Sequence, residues 1–454
     1  MKQKLQTRQE LNSESQPSAL NPLPFLRPLL RETPRQAGML FSAQMGATVL
    51  SLLASATLWR LMDPREFGRF AFCQSVIVIA GLFFEFGIFG AGARVLALEG
   101  DRDSERRAIG ALLLMAAVTG LAFSVFVAGA AIQIDLIFKT GVSSLLIAAS
   151  PLAFFYPIQL FIEQSCQGLN QIRRLSVFQL TTPGFYVLIL IALVAAHRLT
   201  AGSALLAYLA GLGLASALAI IGLRPSFEDI SRHVRLALKE TRSYGLNLYL
   251  ARITGASAAR LDNLVIAYFL GRASTNLEPL GLYANAQKLS APIATLSRSL
   301  AVSRFRAFAK LASVPERIKR WNTIVLICAS IALATIGPIA LRLLFPRYSE
   351  AASLLTPFAA LNLFVGLFQP YNMFLASHGR GKELRNIAIV VTIANLTGLL
   401  LLVPRFGVKG AAWVGAASMA VDYFLHVYYY RKFSRVMRAV IGDERVGAAR
   451  PNTL

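Results

Sequence analysis

Charge is scarce: Asp, Glu, Lys and Arg make up 15% of the 454 residues, against about a quarter in an ordinary soluble protein. Apolar segments recur from residue 37 to residue 430 with no long polar interval, which excludes a soluble enzyme held by a short anchor. Cysteine is nearly absent. Cys73, Cys166 and Cys328 lie inside apolar runs without a pairing pattern, so neither a disulfide framework nor a zinc site is indicated. The four histidines, His197, His233, His378 and His426, are scattered, and no carboxylate cluster has the spacing that holds a divalent ion. A phosphate loop is missing too: Gly379-Arg380-Gly381-Lys382-Glu383 has Ala376 where the first glycine belongs and Glu383 where a hydroxyl must hold magnesium. The expectation is no cofactor, no metal and no covalent chemistry, since the short loops leave little room for an active site.

What the chain does have is apolar length, with 55% hydrophobic residues and a mean hydropathy of +0.55. A hydrocarbon core of about 30 Å needs about 20 residues per helix, which predicts about twelve spans. The first six lie near 38–59, 69–92, 108–131, 143–165, 175–196 and 201–223. The second six lie near 243–270, 279–302, 321–344, 350–376, 384–404 and 408–430. The expected fold is therefore an all-α polytopic membrane protein, two six-helix bundles around a central cavity. Residues 37–223 and 243–432 form the bundles, 224–242 a basic cytoplasmic linker, and 1–36 and 433–454 cytoplasmic tails.

Lys and Arg number 46 against 23 Asp and Glu. About 32 of these cations fall on one side of the expected membrane and about 10 on the other, which puts both termini in the cytoplasm. The first 35 residues carry Lys2, Lys4, Arg8, Arg27, Arg31 and Arg35 and lack the apolar core of a secretory signal. Trp59, Trp321 and Trp413 fall near span ends, where an amphipathic ring prefers the interface. The basic excess matches anionic lipid headgroups as partners, and nucleic acid is not needed to explain it.

The two halves resemble each other at an offset of about 210 residues, as internally repeated transporters do. Phe67-Gly68-Arg69-Phe70-Ala71 after span one matches Leu280-Gly281-Leu282-Tyr283-Ala284 after span seven. Gly168-Leu169-Asn170-Gln171-Ile172-Arg173-Arg174 and Gly379-Arg380-Gly381-Lys382-Glu383-Leu384-Arg385 follow spans four and ten. An even number of spans per half keeps both repeats in one orientation, facing each other across a cleft. Pro151, Pro157, Pro183, Pro292, Pro338, Pro357 and Pro370 lie within spans and bend helices that can line it.

Ionisable groups at membrane depth cost several kcal/mol unless they face a cavity or a partner, so each is a functional candidate. On span seven, Gly245, Tyr249, Arg252, Ala256 and Asn263 share a stripe, flanked by Arg260 and Asp262. Arg252 is expected in the cavity; Asp262 either lines it or pairs with an arginine. On span eight Lys288 lies deep, while Arg298 is close enough to the end to snorkel. The first half offers Gln44, Glu85 and Gln159 within spans, so a field for an anion is biased toward the second half. Glu85 is read as a proton carrier or as a partner of Arg94. Asp422 and His426, four residues apart on span twelve, share a face as packing polarity or as a proton-linked pair.

The run Trp59-Arg60-Leu61-Met62-Asp63-Pro64-Arg65-Glu66-Phe67-Gly68-Arg69-Phe70-Ala71 resembles the first-hairpin signature of the polysaccharide export family of bacterial flippases. Arg260-Leu261-Asp262-Asn263-Leu264-Val265-Ile266-Ala267-Tyr268-Phe269-Leu270-Gly271 with Gly281-Leu282-Tyr283-Ala284 resembles its counterpart in the second half. The resemblance covers about residues 37–435 and implies a superfamily shared with multidrug exporters of the toxic-compound extrusion type and the peptidoglycan lipid flippase. The two additional helices of the peptidoglycan relatives are not found, and Gln44 stands in span one, where coupled drug exporters often carry an acid. The resemblance implies transport of a polyprenyl-diphosphate-linked oligosaccharide across the inner membrane by alternating access, for O-antigen, capsule or exopolysaccharide. It also implies glycosyltransferases upstream and a polysaccharide polymerase downstream as partners. The expected anion and sugar contacts are then Arg252, Arg260, Lys288, Arg298, Tyr249, Asn263, Gln44 and Gln159. The competing reading, a cation-coupled exporter of drugs or metabolites, depends instead on Glu85, Asp262 or Asp422.

Overall fold

The computed structural model describes residues 26–99, 101–246, 249, 261–271, 276–303, 308, 311 and 313–448. Among the described residues there is no strand, as expected where lipid supplies no partner for an open backbone. The first half comprises α1 (Leu26–Leu61), α2 (Pro64–Phe83), α3 (Ile88–Leu98), α4 (Arg102–Phe138), α5 (Ser143–Ala153), α6 (Phe155–Gly168), α7 (Ile172–Ala195) and α8 (Ala201–Leu223). The linker contains a helix, α9 (Ile230–Glu240). Then follow α10 (Leu261–Ile266), α11 (Glu278–Ser303), α12 (Glu316–Leu344), α13 (Leu355–Ser377) and α14 (Gly381–Ala448). Among the described residues, eight helices are long and apolar enough to cross a bilayer, nine with α5 and α6 taken as one bent span. One of them, α14, holds two arms, because the chain reverses within it.

The reversal is at Gly407, in the left-handed region at φ 59°. Pro404 precedes it, and Gly398 lies against Val414, so the two arms pack antiparallel. These arms are the expected eleventh and twelfth spans. Expected span two is helical through α2, then broken by Phe86 (φ 47°) and Gly87 (φ 72°) before α3. Span four bends by 42° between α5 and α6. Pro157 has no N–H for the carbonyl four residues back, Ala153, and the bend falls there. Span ten begins with a 3₁₀ stretch, Pro346–Leu354, and is α-helical only from Leu355. Within the expected linker, α9 packs on α3 and α4 with His233 and Ala237 buried. Its last residue, Glu240, ion-pairs with Arg94 at 2.8 Å.

Helix starts are set by local caps. Asp63 accepts from the Glu66 N–H (2.8 Å) ahead of Pro64, and Thr200 with Ser203 forms a capping box on α8. Asp135 accepts from the backbone N–H of Gly141 at 2.6 Å and folds the α4–α5 turn. Arg69 bonds Glu66 (3.0 Å) and the Gly141 carbonyl (2.9 Å), and Glu66 accepts from the Ala201 N–H. The charges of the first repeat motif thus tie three turns together at one end of the membrane.

The halves meet through the same motif. Gly68 on α2 and Gly281 on α11 are reciprocal neighbours: a methyl on Gly68 would strike the Leu277 carbonyl, and one on Gly281 the Pro64 carbonyl. Small residues let membrane helices approach this closely and gain dispersion energy that lipid does not compete away. Trp59 differs from the expected interfacial ring. It is 2% exposed, edge-on to Phe67 and Phe345, because Phe345 of the other half, just before the 3₁₀ stretch, covers it. Trp321 and Trp413 are exposed, at 61% and 54%.

Candidate substrate cavity

One helix organises the polar interior. On α11, Lys288, Ala291, Thr295 and Arg298 lie three, seven and ten residues along, within about 80° of one another at 3.6 residues per turn. Ser290 and Ser297 face the opposite way and hold the helix in place. Asn362 of α13 donates to Ser290 (2.9 Å), and Ser297 donates to the Gly366 carbonyl (2.7 Å). α11 is long enough to span a bilayer but too polar to pass as an apolar span, because its front face borders space rather than lipid.

Two cavities share Ala291 and Thr295 as walls. The first, about 390 Å³, lies between α1, α2, α7 and α8 of the first half and α11 of the second. Thr48, Ser51 and Ser55 of α1, Thr182 of α7, Tyr208 of α8 and Lys288 line it. The Lys288 ammonium stands 5.3 and 5.1 Å from the ring centroids of Phe67 and Phe70, a cation–π arrangement strengthened where water is scarce. No carboxylate among the described residues pairs with it. The site is cationic, hydroxyl-walled and membrane-embedded, and an anionic ligand would complete its charge.

The second cavity, about 510 Å³, lies within the second half between α11, α13 and both arms of α14. Arg298 enters it opposite Asn362, Gln369, Asn372, Asp422 and His426. Asp422 and His426 are joined, Oδ1 to Nδ1 at 2.9 Å, and His426 stacks on Phe368. Amides, a carboxylate and aromatic faces suit neutral polyols as well as cations.

The remaining expected residues are elsewhere. Arg252 and Arg260 lie outside the described residues. Tyr249 donates to the Phe83 carbonyl (2.7 Å) at the break after α2. Glu85 is buried beside that break, where Gly87 and Gly245 also touch backbone to backbone. Asn263 donates to Ser75 of α2 (2.9 Å), and Gln44 accepts from Ser299 of α11 (2.9 Å). Both therefore bridge the halves and line neither cavity. Gln159 donates to Glu163 on its own helix (2.9 Å). Asp262 accepts from Tyr283 (2.6 Å), so the two motifs of the second half are hydrogen-bonded to each other.

The hydroxyl wall was not anticipated. Gln44, Thr48, Ser51 and Ser55 recur at helical spacing on α1, and that polar stripe in an apolar span was the available signal.

The sequence profile of a family described as polysaccharide biosynthesis protein matches residues 35–303. No curated protein matches the chain significantly in sequence. Among solved structures, the fold is similar to lipid II flippase MurJ in an inward closed conformation, with TM-score 0.64 and 12% identity over 91% of this chain and 94% of that one. It is likewise similar to an outward-facing multidrug resistance MATE family transporter of the MOP superfamily (TM-score 0.62, 15% identity, 89% and 97% covered). A MOP superfamily transporter from Pyrococcus furiosus, whose description speaks of a reverse polarity of the binding pocket, gives 0.63 at 15% identity, again with 89% and 97% covered. At such identities these likenesses establish the fold.

Proposed function

Since the chain belongs to the polysaccharide biosynthesis protein family, we propose that it is a flippase moving a polyprenyl-diphosphate-linked oligosaccharide across the bacterial inner membrane. The observation that carries this reading is Lys288, an ammonium with no carboxylate partner among the described residues, over Phe67 and Phe70 at a hydroxyl-walled cavity between the halves. A diphosphate bears about two negative charges and cannot enter hydrocarbon unaided; a fixed cation replaces part of its lost hydration. The sugars meet hydroxyls and amides, and the polyprenyl tail stays in lipid. Rocking of one half against the other then exposes the headgroup to each side in turn, without a bond made or broken. Both termini are cytoplasmic in this reading. Glycosyltransferases supply the substrate and a polymerase of O-antigen, capsule or exopolysaccharide consumes it.

Binding tests the site directly. A ligand that binds only the folded protein raises its melting temperature. A polyprenyl-diphosphate sugar is expected to do so for the wild type and for Lys288→Arg, and weakly for Lys288→Ala. Loss of one charged hydrogen bond, about 1.5–3 kcal/mol, corresponds to roughly ten- to hundredfold in affinity. Equal binding by Lys288→Ala removes Lys288 from the site.

A second reading, a cation-coupled exporter, draws on the Asp422–His426 pair in the other cavity. It requires that Asp422→Asn abolish efflux of a small cationic dye that the wild type expels.

A further inference from the structure

The back of α11 forms one wall of a third hollow, distinct from both cavities. Leu296, Leu300, Val325, Leu326 and Pro370 line this groove of about 540 Å³ between α11, α12 and α13. The polar groups in its middle are bonded to each other: the Gly366 carbonyl accepts from Ser297 (2.7 Å) and from Asn322 (3.2 Å). What remains between them is a mostly apolar slot. It lies beside the lipid-facing side of α12, where Ile324, Ile331 and Ile339 are exposed.

One end of the slot is cationic. Arg317 and Trp321 border both the groove and an adjoining hollow of about 430 Å³ that also includes Arg320. Glu316, the acid at that mouth, is bound by Lys319 at 2.6 Å. Neither Arg317 nor Arg320 has a carboxylate partner among the described residues. The pattern is a chain-sized apolar slot ending in two guanidinium groups and an exposed indole at the start of a membrane helix. Guanidinium groups bind phosphate oxygens bidentately, and an indole prefers the headgroup level.

We propose that this groove is a site for an anionic phospholipid of the surrounding bilayer. An acyl chain lies between Leu300 and Val325, and the phosphate and anionic headgroup lie at Arg317 and Arg320. The occupant is assigned by charge complementarity and by the lipid that bathes α12. Because the slot backs onto the helix that carries Lys288 and Arg298, a lipid seated there braces the wall of both cavities. The proposal rests on the membrane fold and stands whether or not the chain moves a sugar.

Trp321 is a built-in reporter. Trp59 is buried, so Trp413→Phe leaves Trp321 as the exposed indole. The full chain with that change is reconstituted in phosphatidylcholine vesicles doped with phosphatidylglycerol or phosphatidylcholine brominated on the acyl chain. Phosphatidylglycerol is expected to quench Trp321 at a mole fraction on the order of tenfold lower, given about 1 kcal/mol per cation near anionic lipid. Arg317→Gln with Arg320→Gln is expected to abolish the preference while leaving the melting temperature in pure phosphatidylcholine, where no anionic lipid is present to bind, at the wild-type value. Equal quenching by the two lipids, or a preference that survives the double change, overturns the proposal. Relief of quenching by a small amount of polyprenyl phosphate but not by unbrominated phosphatidylglycerol assigns the groove to an isoprenoid chain and overturns it as well.

Discussion

Gly68→Ala perturbs the point where the two repeat motifs touch. Its new methyl group falls within the envelope of the Leu277 carbonyl and 3.0 Å from the Gly281 nitrogen. Neither neighbour is a side chain that can swing aside, so α2 and α11 must part by roughly 1 Å to restore ordinary packing. Overpacking of this kind costs about 1–3 kcal/mol; the helix propensity of alanine over glycine offsets about 0.5–1 kcal/mol of it. If the halves separate here during transport, the residual strain favours the separated state by up to tens of fold. Amide hydrogen exchange reads this out. Peptides covering Phe67 and Gly281, whose N–H groups bond the Asp63 and Leu277 carbonyls, are expected to exchange faster in Gly68→Ala and in Gly281→Ala. The double change adds less than the two singles together, because both relieve one contact. Gly184→Ala, with nothing near its missing methyl, is the control and leaves both peptides unchanged. Wild-type exchange in Gly68→Ala and Gly281→Ala refutes the close packing of α2 on α11.

Other outcomes follow from the hydrogen bonds between helices. Tyr283→Phe removes the donor to Asp262 and is expected to destabilise by about 1–3 kcal/mol, seen as a lower melting temperature; an unchanged value contradicts the role given to that bond. Gln44→Ala and Asn263→Ala each cut one bond between the halves, worth about 0.5–2 kcal/mol. Their effects on thermal stability should add, since the bonds share no residue; strong non-additivity contradicts the two-tether description. Replacing Arg69 with Met loosens the α4–α5 turn that its guanidinium holds, and proteolysis near Gly141 is expected to rise.

Helix and membrane character were legible because hydrocarbon admits little but helices, and apolar length reports them directly. The repeat was legible as a pattern; the pairing of Gly68 with Gly281 was not, because nothing local says which surfaces a small residue joins. Trp59 shows the same limit. Its position near charges matches an interfacial ring, and only Phe345, far along the chain, explains its burial. In the linker, which was read only by its basic charge, Ile230, His233, Val234 and Ala237 have the helical apolar spacing that α9 uses. Lys288 and Arg298 stood out as charges at expected membrane depth, and both border cavities. Asn263 and Gln44 stood out by the same reasoning and join the halves instead. Polarity at membrane depth marks a residue that needs a partner, and only the packed structure tells whether that partner is protein or ligand.

The most direct measurement is translocation itself: purified protein in sealed vesicles, a labelled polyprenyl-diphosphate oligosaccharide in the inner leaflet, and an impermeant sugar-modifying reagent outside. The proposed flippase makes the label accessible far faster than protein-free vesicles do, Lys288→Arg preserves the rate, and Lys288→Ala at equal protein content loses it. A wild-type rate no greater than that of empty vesicles, or full speed in Lys288→Ala, contradicts the account.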